Sequence, residues 1–170
     1  MKIILPFLLI TLSFISCKKD SPGGSAYFVH FKANGQVQVY DGDVNGSQFG
    51  GVWAEKLTFS SYKQLVVHGS GNAFNTVLML FNIDSVTAGQ TYTFDDFSDG
   101  SFKFTMNSRD YSTFPGSVNP QYEVIVNVQR HSQGVIGGTF SGKVAAPNIN
   151  GGYDVLMLTD GTFNAKVIYH

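Results

Sequence analysis

The chain has 170 residues, 11 Lys and Arg against 12 Asp and Glu, a net charge of −1 and a single cysteine. This near-neutral balance excludes the electrostatic footprint of a nucleic-acid-binding protein, and one cysteine excludes a disulfide within the chain. A composition rich in Phe, Tyr, Val, Thr and Gly, with only 14% charged residues, favours strands over helices.

Residues 1–16, MKIILPFLLITLSFIS, place one basic residue, Lys2, before an almost wholly apolar run. The run has the size of a signal-peptide core and falls short of the roughly 20 residues that a membrane-spanning helix needs. Pro6 also interrupts any long helix. The stretch reads as an export signal. It ends in Ser16 followed by Cys17, an arrangement that resembles the lipobox of bacterial lipoproteins, in which cleavage precedes the cysteine and its sulfur carries lipid. Phe14 stands where that pattern ordinarily has leucine, and the alternative is that Cys17 is a bystander beside an ordinary cleavage site. Acylation matters physically because each buried CH₂ contributes about 0.8 kcal/mol, so several acyl chains make a durable membrane anchor. Residues 18–25, KKDSPGGS, are polar and carry Pro and Gly, which makes them a flexible tether. Eight extended residues reach at most about 25–30 Å, so the domain that follows is expected close to the membrane surface.

Residues 26–170 are long enough for one domain with its own core. Asn34-Gly35 and Asp41-Gly42 are the first turn signals. HGSGN at 68–72 reads as a glycine-rich turn after the strand QLVV, and TVLMLFNI at 76–83 as a central strand covered on both faces. Asp99-Gly100 and Pro115-Gly116 mark further turns. In QYEVIVNVQ, Tyr122, Val124, Val126 and Val128 share one face, with Glu123, Asn127 and Gln129 on the other. VLML at 155–158 reads as a second doubly covered strand. Asp160-Gly161 is expected to be a two-residue hairpin turn leading into TFNAKVIY, where Phe163, Ala165, Val167 and Tyr169 alternate with Asn164 and Lys166. The heptapeptides GTFSGKV (138–144) and GTFNAKV (161–167) echo each other and are read as two strands of one sheet, each starting at a glycine turn and burying a Phe. Seven residues are too few for a solenoid or propeller repeat. The expected fold is therefore all-β, a single antiparallel sandwich of about ten short strands, with a closed barrel as the alternative.

The sharpest chemical motif is DGDVNG at 41–46. Asp41, Asp43 and Asn45 supply alternating oxygens and Gly46 a sharp bend, as at the start of a calcium loop. Val52, however, stands where an EF-hand has its bidentate Glu, and the loop joins strands, so tight-turn chemistry accounts for the same residues. Calcium is the one cofactor the sequence suggests. The four histidines lack metal-ligand spacing, and HGSGN lacks the full G-x-S-x-G pattern of a nucleophile. Asp95 and Asp96 are adjacent and so point apart in an extended chain, unlike a glycosidase pair flanking one bond. Trp53, with Tyr40 and Tyr62 as companions, suits either a core or a glycan-stacking face. Enzymatic activity has no recognisable constellation behind it.

The signal with CKKDS, the opening YFVHFKANGQVQVY, the central SVTAGQTYTF, then GGTFSGKV and the closing LTDGTFNAKVIY together resemble a family of uncharacterised lipoproteins from Bacteroidota. That resemblance covers nearly the whole chain after the signal. It implies an exported β-rich domain at the outer membrane, facing the periplasm or the cell surface, and it brings no catalytic residues. The expected role is a membrane-tethered, non-enzymatic module that binds an envelope protein or a polysaccharide. A surface glycan hydrolase or a calcium-stabilised structural module are the competing classes.

Overall fold

A computed structural model describes residues 25–43, 50–59, 63–72, 75–82, 85–95, 99–114 and 122–169. The all-β expectation holds. Among the described residues eleven strands form: β1 Phe28–Ala33, β2 Gln36–Asp41, β3 Gly51–Thr58, β4 Lys63–Asn72, β5 Asn75–Phe81, β6 Gln90–Phe94, β7 Gly100–Met106, β8 Arg109–Ser112, β9 Val124–Ser132, β10 Val135–Pro147 and β11 Tyr153–Ile168. They make one large mixed sheet. Its pairings run in a circuit, β11–β3–β4–β5–β7–β6–β9–β10, and return to β11. All are antiparallel except β11 with β3 and the single bridge of β6 to β7. β8 pairs with β7 and touches β10 at Ser112–Ala145, spanning the seam beside that bridge.

Period-2 alternation decides which side chains enter the core. Val29, Phe31 and Ala33 of β1, Val77, Met79 and Phe81 of β5, and Val124, Val126 and Val128 of β9 all point inward and are buried. Strands that are not hydrogen-bonded to each other meet through aromatic rings. Phe31 packs edge-on against Phe104, with ring centroids 5.1 Å apart and planes at 82°. Phe81 does the same with Phe94 at 4.8 Å. Such pairs add about 0.5–1.5 kcal/mol each beyond the area they bury.

β11 departs from the expected hairpin. Asp160-Gly161 does not turn the chain; the strand continues through it. Against β1, the register steps from His30↔Thr162 to Lys32↔Thr159, and against β10 from Phe140↔Gly161 to Gly142↔Leu158. Both neighbours therefore find one extra residue in β11, and Asp160 has a left-handed φ of 54°. This bulge reverses the face on which side chains emerge. Leu156 and Leu158 point inward before it, and Phe163, Ala165 and Val167 after it. A phase slip of one residue looks in sequence like two strands joined by a turn.

The echoed heptapeptides lie side by side, with Gly138↔Phe163, Thr139↔Thr162 and Phe140↔Gly161 paired. Neither glycine starts a strand. Each lies under the ring of the opposite Phe: a Cβ on Gly161 would sit 2.6 Å from the Phe140 ring and 2.3 Å from its carbonyl oxygen, and one on Gly138 would sit 3.1 Å from the Phe163 ring. Close approach of neighbouring strands, not a turn, fixes these glycines: the Phe140 ring and carbonyl press on Gly161, and the Asn127 carbonyl of β9, 2.1 Å from a Cβ on Gly138, presses on Gly138 together with the Phe163 ring.

Two further expectations are corrected. HGSGN is not a turn but the second half of β4, because Tyr40 of β2 lies across its glycines; a Cβ on Gly69 would meet the Tyr40 Cβ at 3.2 Å. VLML at 155–158 is covered on one face only, since Val155 and Met157 are exposed. Asn34-Gly35 does form a two-residue turn, with φ of 47° and 81°. Pro115-Gly116 lies outside the described residues.

Gly161→Ala is expected to force the Phe140 strand aside and destabilise the fold by about 1–3 kcal/mol, as overpacking does. Phe140→Ala should cost more, about 3–5 kcal/mol. Denaturant titration checks both, and a Gly161→Ala chain as stable as the parent contradicts the close packing of Phe140 on Gly161.

Candidate functional site

The outer surface of the sheet is where the alternation becomes unusual. On β3, Val52 and Ala54 enter the core, so Trp53, Glu55 and Leu57 point out. On β4 the outward set is Gln64, Val66, His68 and Ser70, and on β5 it is Thr76, Leu78 and Leu80. The strand register aligns these into two neighbouring rows. One runs Lys166, Trp53, His68, Leu78, Lys103; the other runs Ile168, Glu55, Val66, Leu80, Ser101. The centre of this platform is apolar and aromatic, and lysines stand at both ends of one row.

Within it the side chains are held firmly. The Trp53 and His68 rings stack with centroids 4.5 Å apart and planes at 4°. His68 Nε2 lies 2.7 Å from Glu55 Oε1, and these two side chains keep only 18% and 22% of their surface in contact with solvent. Val66 is 4% exposed although it points outward, so its neighbours shield it. The flanking lysines are tied to carboxylates, Lys103 Nζ to Asp110 Oδ2 at 2.7 Å and Lys166 Nζ to Asp43 Oδ2 at 3.4 Å. Beyond Leu57 and Gln64 the platform leads to a cavity of about 260 Å³, whose other walls include Lys56, Lys63 and His131. His131 is fixed there by a 2.6 Å contact between its Nδ1 and the Val86 carbonyl.

Burial lowers the His68 pKa below its ordinary value of 6.5, against the opposing pull of the Glu55 carboxylate. At neutral pH the imidazole is therefore held in its neutral form between an indole face and a carboxylate. Such a group can donate or accept a hydrogen bond at a fixed position beside an apolar surface.

Of the residues singled out from sequence, Trp53 belongs to this platform and Tyr40 does not. Tyr40 is 2% exposed and faces the core, with its ring stacked on Phe31 at 6.2 Å. Its hydroxyl is buried with no hydrogen-bond partner among the described residues, and burial pushes its pKa well above the usual phenol range. Tyr40 and Trp53 thus lie on opposite faces of the sheet. Asp41 lies 2.6 Å from His30 Nε2 and Asp43 lies against Lys166, so the two carboxylates belong to different pairs. Among the described residues, no three His, Cys, Asp or Glu side chains gather as a metal site. Cys17, Asn45, Tyr62 and Asp96 lie outside the described residues.

Sequence reading missed His68, Glu55, Leu78 and Leu80 as partners of Trp53. The alternation in VWAEKL puts Trp53 and Glu55 on one side, which was legible. The placement of His68 opposite Trp53 was not, because its segment looked like a turn. Comparison with protein-family models, with curated proteins and with solved structures finds no match for this chain. The platform is therefore interpreted from its own geometry.

The pH dependence follows from the direction of the His68 shift. Its folded pKa lies below the unfolded value of 6.5, so the unfolded chain binds the proton first as pH falls. The His68 contribution to stability is whole above that value and declines as pH drops through it. Thermal melting between about pH 7.5 and 5.5 should show a His68→Asn variant losing less stability than the parent. Glu55→Gln should lose more, because the carboxylate that favours the charged imidazole is gone. Equal slopes in all three chains would remove the assignment.

Proposed function

We propose that this chain is an exported lipoprotein, held at a membrane of the cell envelope through Cys17, whose β domain binds another envelope protein or an extracellular polysaccharide without altering it chemically. The observation that carries the binding reading is the outward platform across β11, β3, β4 and β5. Solvent-facing positions of an antiparallel sheet are ordinarily polar. Here Trp53, Leu78, Leu80 and Ile168 occupy them together around the shielded Val66, with Lys103 and Lys166 at the margin. An apolar, aromatic centre inside a polar rim is the anatomy of a binding surface.

Engagement of most of the described carboxylates in pairs supports binding over hydrolysis. Asp41, Asp43, Glu55, Asp110, Asp154 and Asp160 each lie against a basic side chain, pairing respectively with His30, Lys166, His68, Lys103, Arg109 and Lys32. Most of these pairs join neighbouring strands, where they brace the sheet. The anchor rests on the apolar run ending at Cys17 and on the polar tether after it. The Bacteroidota lipoproteins that the sequence resembles suit the same arrangement.

Cells given a labelled fatty acid should label the parent chain and drive it into the detergent-rich phase on partition. Cys17→Ser should take up no label and stay in the aqueous phase; label retained by that variant overturns the anchor. For the platform, Trp53→Ala should weaken capture of isolated envelope polysaccharide or of cross-linked surface proteins at least about 10-fold, as loss of a central aromatic does. Met157→Ala, exposed near β1, should leave capture unchanged. Release of soluble sugar by the parent chain would count for a hydrolase instead.

A further inference from the structure

β2 stands at the end of the strand order; among the described residues its ladder partner is β1 alone, and β3 reaches this edge only just past its end, where the Val52 N–H donates to the Gly42 carbonyl at 2.8 Å. Natural proteins blunt such edges with lysine, proline, bulges or covering segments, because a row of unpaired backbone groups invites another chain. Residues 36–40 read Gln-Val-Gln-Val-Tyr, with no charge and no proline, and their pairing with β1 is unbroken by any bulge. Val37 and Val39 are 64% and 52% exposed.

The hydrogen-bond phase of this edge follows from the hairpin. Ala33 and Gln36 close a two-residue turn and so form a hydrogen-bonded pair. Gly42 donates to the Tyr27 carbonyl at 3.1 Å, in phase with that assignment. The even-numbered residues of β2 therefore bond to β1, while Val37, Val39 and Asp41 turn their N–H and C=O groups to the open edge.

We propose that this edge pairs with the same edge of a second copy of the chain, antiparallel, about a two-fold axis through Gln38. In that register Val37 of one copy opposes Val39 of the other in two hydrogen-bonded pairs. The valines then meet on the outer face, Gln38 faces Gln38 on the inner face, and Gln36 faces Tyr40. Sliding the axis to Val39 sets Val37 against the Asp41 carboxylate, and sliding it to Val37 leaves Val39 opposite Gly35. The self-complementary Gln-Val-Gln-Val order selects the Gln38 register. This is an isologous contact of the kind that closes dimers, distinct from the Trp53 platform.

Cross-linking in the full chain, with Cys17→Ser to remove the native thiol, tests both the contact and its register. A non-hydrogen-bonded antiparallel pair brings Cα atoms to about 4.5 Å, within reach of a disulfide. Gln38→Cys should therefore give a covalent dimer on mild oxidation in detergent. Val37→Cys and Val39→Cys should give little, because their own copies stand diagonally, beyond about 7 Å. Sedimentation equilibrium of the unmodified chain should show a dimer fraction that rises with concentration and disappears in Val39→Lys, with the circular dichroism spectrum unchanged. A chain that stays monomeric at about 100 μM, equal cross-linking at all three positions, or preferential linking through Val37 or Val39 overturns the proposal.

Discussion

One extra residue in β11 governs how this sheet is put together. Asp160, in a left-handed conformation, is unmatched by β1 on one edge and by β10 on the other. Before it β11 buries Leu156 and Leu158, and after it Phe163, Ala165 and Val167. Without that slip, a side-chain period of two would send the second half of the strand outward and empty a large part of the core. The same strand passes its free edge from β1 to β3, with Lys166 opposite Trp53, and so completes the circuit. Gly161 makes room for Phe140, and Gly138 for the Asn127 carbonyl and the Phe163 ring, where these strands pair; the Phe140 ring leads on to Phe31 and Phe102.

The outer surface follows from that circuit. Because β11 ends alongside β3, Lys166 and Ile168 extend the rows that Trp53 and Glu55 begin, and four strands offer one continuous face. On that face the rigid contacts, Trp53 on His68 and His68 on Glu55, fix side chains that an exposed surface would leave mobile. Pre-organised groups lose little entropy when a partner arrives, which is the physical support for the binding role proposed for this face. The β1–β2 hairpin plays another part. It sends Phe31 and Tyr40 into the core but leaves an uncharged edge with two exposed valines, so core formation and edge exposure come from the same six-residue alternation in β2.

The fold class was legible because strand periodicity is local. Tyr122, Val124, Val126 and Val128 announced their common face, and all four are buried. The turn at Asn34-Gly35 was legible for the same reason, since only two consecutive residues with positive φ are needed. Glycines misled where their role depends on distant rings. Gly69 and Gly71 looked like a turn but accommodate Tyr40, and Gly161 looked like a hairpin but accommodates Phe140. A glycine that bends the chain and a glycine that admits a neighbour carry the same letter.

The sequence alone determined the all-β class, the near-neutral charge, the apolar N-terminal run followed by a single cysteine and a polar stretch, and the alternation that separates inner from outer side chains. These are properties of composition and of contacts a few residues apart. Only the tertiary structure decided that Tyr40 turns inward while Trp53 turns outward, that His68 lies under Trp53, and that the two GTF segments pair side by side. Each of these depends on strand register, and register is fixed by bulges and by packing between residues that lie far apart in the chain.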